Sequence, residues 1–253
     1  MPATEQESVL RWTRCGLVNA RDEPAAALLV ADSWLVQDGF ARAGARHWKR
    51  FEGWCREAGF DDGAAVACFR EAVAATLPLD GRWFPRVELT ADGALRLRVR
   101  AAPPAAEGVG VAVAVAPDPR AQPRRKGPDL DLLLALRART SAGELLLCGE
   151  DGALREGALS SLLWWEGDTL WTTPDEHTLP GVTRGLLADI ARERGVQLAV
   201  RSPQPGELAG LETWLTSSLH GIRPVAFWLS PLQPAGVADR AADWQALLER
   251  HDR

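Results

Sequence analysis

The alternation of apolar and polar positions predicts a chain rich in β-strands, with a few amphipathic helices between them. Apolar runs and strict alternation indicate strands, whereas apolar residues spaced three and four apart indicate helices. In the first hundred residues these patterns predict strands at 8–12 and 27–36, helices at 43–58 and 64–75, and strands at 82–89 and 94–100. The last two strands flank the turn sequence Ala91-Asp92-Gly93 and are typical of a hairpin. Together these elements predict a small α/β unit.

A second unit follows a stretch that is poor in residues able to pack. Residues 101–108 read AAPPAAEG, and prolines with small residues are typical of a linker. Residues 109–116 then form a continuous apolar run, as expected of a strand buried on both faces. The remaining pattern predicts a helix from Asp129, strands at 144–148, 162–165 and 169–172, a helix from Val182, strands at 196–201, 213–217 and 224–229, and a helix at 235–249. We therefore expect two domains, a small N-terminal α/β domain at 1–105 and a larger, strand-rich domain of mixed structure at 106–253.

Charge and composition exclude several classes of function. The chain of 253 residues carries a net charge of −5, and its basic residues are scattered, so a nucleic-acid partner is not expected. We find neither a signal region nor an apolar run near the ~18 residues that span a membrane, which predicts a cytoplasmic protein without a membrane partner. The cysteines are far apart and form no C-x-x-C or Cys/His cluster, so we expect neither a metal site nor a disulfide framework: Cys15, Cys55, Cys68 and Cys148.

The stretch from residue 154 to 184 combines an acid with a candidate anion site. Glu156 precedes two apolar runs joined by the turn Glu166-Gly167-Asp168, which predicts a β-hairpin. Pro180 and Gly181 then break the chain just before a helix that begins on Val182 and Thr183. The start of a helix exposes unpaired backbone N–H groups, and with a threonine hydroxyl these can bind a phosphate dianion.

Five short motifs, taken in order, resemble those of the class IV aminotransferases, which are fold-type IV enzymes that use pyridoxal 5′-phosphate. In this chain they read His47-Trp48-Lys49-Arg50, Lys126, Glu156-Gly157, Gly181-Val182-Thr183-Arg184, and Thr216-Ser217-Ser218 with Pro224-Val225. Each motif is short, but the five together cover most of the chain with plausible spacing. The resemblance implies an α/β (α+β) fold of two domains, a homodimer and a small amino-acid-like substrate.

The resemblance also implies a role for each matching residue. Lys126 would form an imine with the cofactor and act as general base, which requires an amine partly deprotonated by burial and by nearby positive charge from Arg124 and Arg125. Glu156 would accept the pyridinium N–H, so that the ring can withdraw electrons. The phosphate would be bound by Val182, Thr183, Arg50 and Ser218, and a substrate carboxylate would be bound by Arg86.

Two segments depart from the family pattern. Asp32-Ser33 stands where many relatives carry Glu-Thr, which keeps an acid and a hydroxyl but not the neighbouring glycines and arginine. We expect Ser33 to be catalytic, because lyases of this family carry a threonine hydroxyl there that suits proton transfer. Leu130 stands where several transaminases carry a tyrosine that bonds the cofactor's phenolic oxygen, so Asp129 or a water would serve that oxygen.

Taken one at a time, the same residues have ordinary structural roles. Lys126, Arg50 and Arg86 could be surface charges, Glu156 a turn residue, Thr183 a helix cap, and Ser218 an ordinary polar residue beside a strand. Arg86 in particular has arginine neighbours at positions 82, 96, 98 and 100. The order of the motifs, rather than any one residue, favours the functional interpretation.

Two reactions share this scaffold, and both begin with removal of a proton from Cα by the lysine. Residues 216–225, TSSLHGIRPV, resemble the lyase pattern T-N-S-L-x-G-x-x-P-V more than the G-T-A pattern of branched-chain transaminases. We therefore expect an aminodeoxychorismate lyase-like elimination of pyruvate that gives 4-aminobenzoate or a related product. The alternative is a transaminase acting on an amino acid and a keto acid. A second alternative is a degenerate, non-catalytic partner protein, but retention of Lys126, Glu156 and Arg50 argues against it.

Overall fold

The computed structural model describes residues 7–24, 26–104, 110–229 and 232–251. The chain forms two compact units, Met1–Pro104 with Arg125–Pro128, and Ala105–Arg124 with Asp129–Arg253. The predicted boundary at 105/106 lies outside the described residues. The short segment Arg125–Pro128, which contains Lys126, belongs to the first unit although the chain on both sides of it belongs to the second.

The described residues of the small unit form two antiparallel sheets and two helices. Its elements are β1 (Ser8–Thr13), β2 (Gly16–Asn19), β3 (Leu28–Ser33), β4 (Val36–Gln37), β5 (Phe40–Ala41), α1 (Gly44–Glu57), α2 (Gly63–Thr76), β6 (Arg82–Trp83), β7 (Arg86–Thr90) and β8 (Leu95–Val99). The larger sheet has the order β2-β1-β8-β7-β3, and the smaller has the order β5-β4-β6. Both predicted helices and the β7–β8 hairpin are confirmed.

Two predicted strands of the small unit are each split in two. The strand predicted at 27–36 ends at Ser33, because Val36 pairs with Ala41 and Trp83 in the smaller sheet instead of continuing β3. The strand predicted at 82–89 is interrupted at Pro85, which has no N–H to donate to a ladder. Both interruptions leave β3 and β7 paired, with Ser33 opposite Arg86.

The larger sheet of the small unit has one apolar and one charged face, as strand alternation requires. The apolar face packs on the two helices, and its buried residues include Val30, Val87, Leu89, Leu95 and Leu97 with Phe51 and Phe69 of the helices. The opposite face carries Arg86 and Glu88 on β7 and Arg96 and Arg98 on β8. Asp32 is an exception, because it lies on the apolar face and is completely buried.

The large unit is built on one nine-stranded mixed sheet. Its elements are β9 (Val111–Pro117), α3 (Leu130–Ala138), β10 (Glu144–Cys148), β11 (Leu154–Gly157), β12 (Ser161–Glu166), β13 (Thr169–Thr172), α4 (Val182–Glu193), β14 (Leu198–Val200), β15 (Thr213–Ser217), β16 (Gly221–Leu229), β17 (Leu232–Pro234) and α5 (Ala241–Arg250). The strand order is β11-β10-β9-β16-β15-β12-β13-β14, and β17 pairs with β16. The predicted apolar strand is confirmed as β9, which lies between the parallel strands β10 and β16. The mixed α/β class predicted for the chain is confirmed.

The last helix begins later than the sequence pattern predicts, at Ala241 rather than at 235. The N–H of Ala235 donates to the Ala226 carbonyl, and the N–H of Gly236 donates to the Leu211 carbonyl. Gly236 also lies so close to Leu211 that a Cβ would be 2.4 Å from the Leu211 carbonyl carbon. These contacts hold residues 235–236 outside the helix. Within the described ranges, no helix is long and apolar enough to cross a membrane.

Candidate active site

Lys126 lies along the free edge of the larger sheet in the small unit. Its carbonyl accepts a hydrogen bond of 2.7 Å from the N–H of Ala31 in β3. The next residue, Gly127, has φ of +145°, and a Cβ there would be 2.9 Å from the Cα of Val30. Only glycine permits this approach, so Gly127 lets the Lys126 segment pack against β3 directly beside Asp32.

The surroundings of Lys126 destabilise the protonated form of its amine. Burial lowers the pKa of Lys126 to about 8, and the Asp32 carboxylate acts in the opposite direction. The positive charges that lower this pKa further belong to Arg50, Arg100 and Arg86. The sequence predicts Arg124 and Arg125 in that role, which stays a prediction; the Arg125 guanidinium lies over the ring of Trp54.

Asp32 connects β3 to two residues of helix α1. The Nε and one terminal nitrogen of Arg50 each donate to the carboxylate at 2.8 Å, and Nδ1 of His47 is 2.8 Å from Oδ1. His47 and Arg50 share a helical face because they are three residues apart. Burial disfavours the charged form, but Arg50 and His47 outweigh it and hold the pKa of Asp32 far below its usual range. The polar residue in an otherwise apolar strand is therefore an ionised, fully paired carboxylate, and phosphate binding by Arg50 stays a prediction.

Ser33 and Arg86 are neighbours on the charged face of the same sheet. They are paired residues of β3 and β7, so both side chains project to the same side. Arg86 donates to Glu88 at 2.6 Å, and Arg98 donates to the same carboxylate at 2.7 Å. Arg86 is therefore already bound to an acid, and its predicted contact with a substrate carboxylate stays a prediction.

Glu156 is buried in the large unit, where it is paired with Leu147 of β10 in the sheet. Its Oε1 accepts hydrogen bonds from Arg120 at 2.5 Å and from the N–H of Leu179 at 2.8 Å. Burial raises the pKa of Glu156 to about 7, although Arg120 opposes this rise. Gly157 follows because a Cβ there would lie 2.2 Å from the Ser160 hydroxyl. The glycine of the Glu-Gly pair is thus favoured by the turn that leaves β11.

Arg120 and Asp118 are site residues that the sequence interpretation missed. Asp118 follows β9 directly and binds the Nε and one terminal nitrogen of Arg120, both at 2.8 Å. Both side chains are buried. The available signal was their position, because polar residues at the carboxyl end of a buried parallel strand often belong to a site. Nothing in the local sequence indicates that Arg120 pairs with an acid 36 residues further on.

The start of helix α4 is as predicted and lies against the sheet of the large unit. The N-cap residue is Gly181, which has no side chain to cap the first turn, and Val182 and Thr183 are buried. A Cβ on Gly181 would be 2.4 Å from the hydroxyl of Ser161, which is paired with Thr216 of β15. The Thr216 hydroxyl is buried and, among the described residues, has no hydrogen-bond partner. The helix start is therefore beside an unsatisfied hydroxyl.

Three other predicted residues have definite positions. Ser218 lies in the turn between β15 and β16, two residues beyond Thr216. Asp129 accepts hydrogen bonds from the N–H groups of Ala121 and Gln122, so it closes the loop before α3, and a role toward a phenolic oxygen stays a prediction. In the part of the chain that the structure describes, no group of three or more His, Cys, Asp or Glu side chains is arranged to hold a metal.

Comparison with known proteins gives a family and a fold. The model of the amino-transferase class IV family matches residues 29–228 of this chain. The aminodeoxychorismate lyase of Bacillus subtilis (strain 168) is 35% identical over 77 residues, which make up 30% of this chain and 26% of that protein. The match therefore spans about a quarter of that relative's length.

Solved structures resemble the whole chain. A fold IV-transaminase from Curtobacterium pusillum aligns with a TM-score of 0.69 and 21% identity, over 96% of this chain and 97% of that one. A hypothetical aminotransferase from Mycobacterium tuberculosis, in its PLP-bound form, aligns with a TM-score of 0.73 and 19% identity, over 98% and 100%. The TM-scores show a shared fold, which is the predicted fold-type IV arrangement.

Proposed function

We propose a reaction for this chain from one premise: it belongs to the amino-transferase class IV family, and it is an enzyme that depends on pyridoxal 5′-phosphate. The proposed reaction is a lyase-like elimination, in which 4-amino-4-deoxychorismate or a related compound loses pyruvate and gives 4-aminobenzoate or its counterpart. The proposal joins the family to the properties of three side chains, Lys126, Ser33 and Glu156.

The residues present suit this cofactor. Lys126 supplies an amine that titrates near neutral pH, as an imine-forming lysine requires. Glu156 supplies a buried acid for a ring nitrogen, and the start of α4 with the unsatisfied Thr216 hydroxyl supplies donors for a phosphate. When bound, the cofactor supplies an electron sink that makes a proton beside the substrate nitrogen acidic.

Lys126 and Ser33 are the proposed proton-transfer groups. The Lys126 amine removes the proton from the carbon that bears the substrate nitrogen, and its pKa of about 8 leaves part of it in the basic form near neutral pH. The electron pair of that bond then forms the new ring double bond, and the C–O bond to the enolpyruvyl group breaks. The leaving group takes up a proton and departs as pyruvate, and Ser33 is the proposed hydroxyl for that transfer.

The cofactor's other groups have proposed partners as well. Glu156 binds the ring nitrogen, and Val182 and Thr183 bind the phosphate through the first-turn N–H groups of α4, with Ser218 and Arg50 adding donors. Arg50 is already oriented by Asp32, which supports a fixed rather than a mobile donor. Arg86 binds a substrate carboxylate in this proposal.

The position of Ser33 is the observation that favours elimination over transamination. Its side chain is buried, it lies on the same face as Arg86, and it is two residues along β3 from Ala31, which binds the Lys126 carbonyl. Its backbone N–H donates to the carboxylate of Asp32. A hydroxyl so placed can carry a proton to a leaving group, a step that transamination does not need.

The test is product analysis of the cofactor-loaded protein. With aminodeoxychorismate we expect equal amounts of pyruvate, measured with lactate dehydrogenase, and 4-aminobenzoate, measured by fluorescence. Ser33→Ala should lower the rate of pyruvate release while the absorption of the bound cofactor stays unchanged. Full activity in Ser33→Ala would remove Ser33 from the mechanism, and absence of pyruvate from the wild type would refute the elimination.

Transamination is the second candidate, and a specific feature favours it. Arg86 and Arg98 share the carboxylate of Glu88, Arg98 also lies 3.7 Å from the carboxylate of Glu7, and Arg100 is bonded to the Phe84 carbonyl. This excess of positive charge suits the two carboxylates of an acidic amino acid and its keto acid. Formation of a keto acid from a panel of amino acids, without pyruvate from aminodeoxychorismate, would favour this reaction.

Two further predictions accompany the proposal. A homodimer is expected from the family resemblance, and light scattering on the purified protein tests it. A cytoplasmic location stays a prediction. The non-catalytic alternative would require that the wild-type protein turn over neither substrate class, whether or not it binds the cofactor.

A further inference from the structure

Glu156 is held by only one of its two oxygens. Arg120 and the backbone N–H of Leu179 both donate to Oε1, at 2.5 and 2.8 Å. Oε2 accepts no hydrogen bond from another described residue, and it is not among the buried atoms that lack a partner. Oε1 is therefore anchored, and no described residue donates to Oε2, so that oxygen is able to accept a further hydrogen bond.

Arg120 is itself fixed on every side. Asp118 binds its Nε and one terminal nitrogen at 2.8 Å each, which uses one edge of the planar guanidinium. That terminal nitrogen also donates to the His177 carbonyl at 3.1 Å. The remaining nitrogen points to Glu156, so the geometry of the fork determines where the Glu156 carboxylate lies.

The charges of this cluster favour an ionised Glu156. Asp118 is ionised, because Arg120 and Arg155 bind it and, against the effect of burial, hold its pKa below the ordinary value. Burial alone would protonate Glu156 at neutral pH, and Arg120 is the main group that opposes this. A carboxylate that accepts the N–H of a protonated ring must carry the negative charge.

We propose that Arg120, oriented by Asp118, is a positioning residue that favours the ionised form of Glu156 and directs its Oε2 toward the ring nitrogen of the cofactor. This inference rests on the role proposed above for Glu156. A purely structural Arg120 would only tie the loop after β9 to residues 177–179. The two interpretations differ in what happens to the Glu156 proton when the positive charge is removed from a folded protein.

The first test measures the Glu156 proton in the cofactor-free protein. Glutamate labelled with ¹³C at the carboxyl carbon is incorporated, and Glu156→Gln identifies the Glu156 signal during a pH titration. We expect the pKa of this carboxyl to rise by at least about one unit in Arg120→Met, because an opposite charge at hydrogen-bond distance is lost. Arg120→Gln, neutral but still a donor, replaces it if Arg120→Met does not fold. Arg120→Lys should return the pKa toward the wild-type value.

Arg155→Met is the matched control, because Arg155 binds Asp118 at 3.0 Å and makes no hydrogen bond to Glu156 among the described residues. It should leave the Glu156 titration nearly unchanged. An unchanged Glu156 titration in folded Arg120→Met or Arg120→Gln would overturn the proposal. An equal shift in Arg155→Met would also overturn it, because the effect would then belong to the cluster and not to Arg120.

The second test measures binding instead of turnover. Pyridoxal phosphate is compared with an analogue in which CH replaces the ring nitrogen, and the wild type should prefer the natural cofactor by about tenfold or more. Arg120→Met should lose most of this preference, whereas Arg155→Met should keep it. A retained preference in Arg120→Met would contradict the proposal. A wild type without any preference would refute the role proposed for Glu156, while the titration would still decide whether Arg120 controls its charge.

Discussion

The amine of Lys126 should lose its proton near pH 8, and pH is therefore the simplest perturbation of the site. Burial and three arginines lower its pKa from 10.5 to about 8. At pH 7.5 a pKa of about 8 leaves about a quarter of the molecules with a neutral amine, against about one in a thousand for a lysine in water. The folded environment thus raises the reactive fraction about 200-fold at neutral pH.

The chain offers a clean assay for this prediction because it contains two lysines, Lys49 and Lys126. Lysine labelled with ¹³C at Cε gives one signal for each, and Lys49→Arg assigns them. Lys49 is exposed on α1 and serves as the internal comparison. The Lys126 signal should shift with a midpoint near pH 8 in the cofactor-free protein. A Lys126 signal that stays in the protonated position up to pH 10 would refute the reasoning.

Three further predictions concern stability. Asp32→Asn should lower the free energy of unfolding by about 3 kcal/mol, because the guanidinium of Arg50 on α1 loses the carboxylate that pairs with it. Urea denaturation measures this, and a loss below about 1 kcal/mol would show that the pair is replaceable. Glu156 binds its proton more tightly in the folded protein, with a pKa of about 7 against an ordinary 4.5. Its contribution to the free energy of unfolding is therefore fully present below pH 4.5 and is lost as the pH rises through 7. The loss is about 3 kcal/mol, and the difference between wild type and Glu156→Gln in urea midpoints at pH 5 and pH 8 should show it; parallel pH profiles would contradict it. Gly157→Ala should destabilise the protein by about 1–3 kcal/mol, because the new Cβ would lie 2.2 Å from the Ser160 hydroxyl. The control Gly53→Ala lies in the interior of α1 with open space around it and should stabilise the protein by about 0.5–1 kcal/mol. Equal melting temperatures for the two variants would contradict both expectations.

Local patterns predicted most elements because their causes are local. The three-four spacing in α1 and the apolar run of β9 each result from burial of one face or of both faces, so periodicity alone indicates them. The start of α5 could not be predicted in this way. It depends on hydrogen bonds from Ala235 and Gly236 to residues 226 and 211, which are distant in the chain.

In the candidate site, too, the sequence indicated some residues and not others. Short motifs indicated Lys126 and Glu156, because the chemistry expected of them requires particular residue types at particular places. Their partners could not be predicted, since the pairing of Arg120 with Glu156 and of Asp32 with Arg50 depends on how separate elements pack. Asp32 stands out in the sequence as an acid in a largely apolar strand, but nothing in the sequence identifies Arg50 and His47 as its partners.

Reduction of the cofactor-loaded protein with borohydride tests the central claim most directly. The treatment converts an imine between pyridoxal phosphate and a lysine into a stable bond, which peptide mass spectrometry then locates. Because Lys49 and Lys126 are the two lysines of the chain, the result has few possible forms. We predict one modified lysine per chain, at Lys126, with Lys49 unmodified and no modification in Lys126→Ala. Modification at Lys49 alone, or at neither lysine while the protein remains active, would contradict the account.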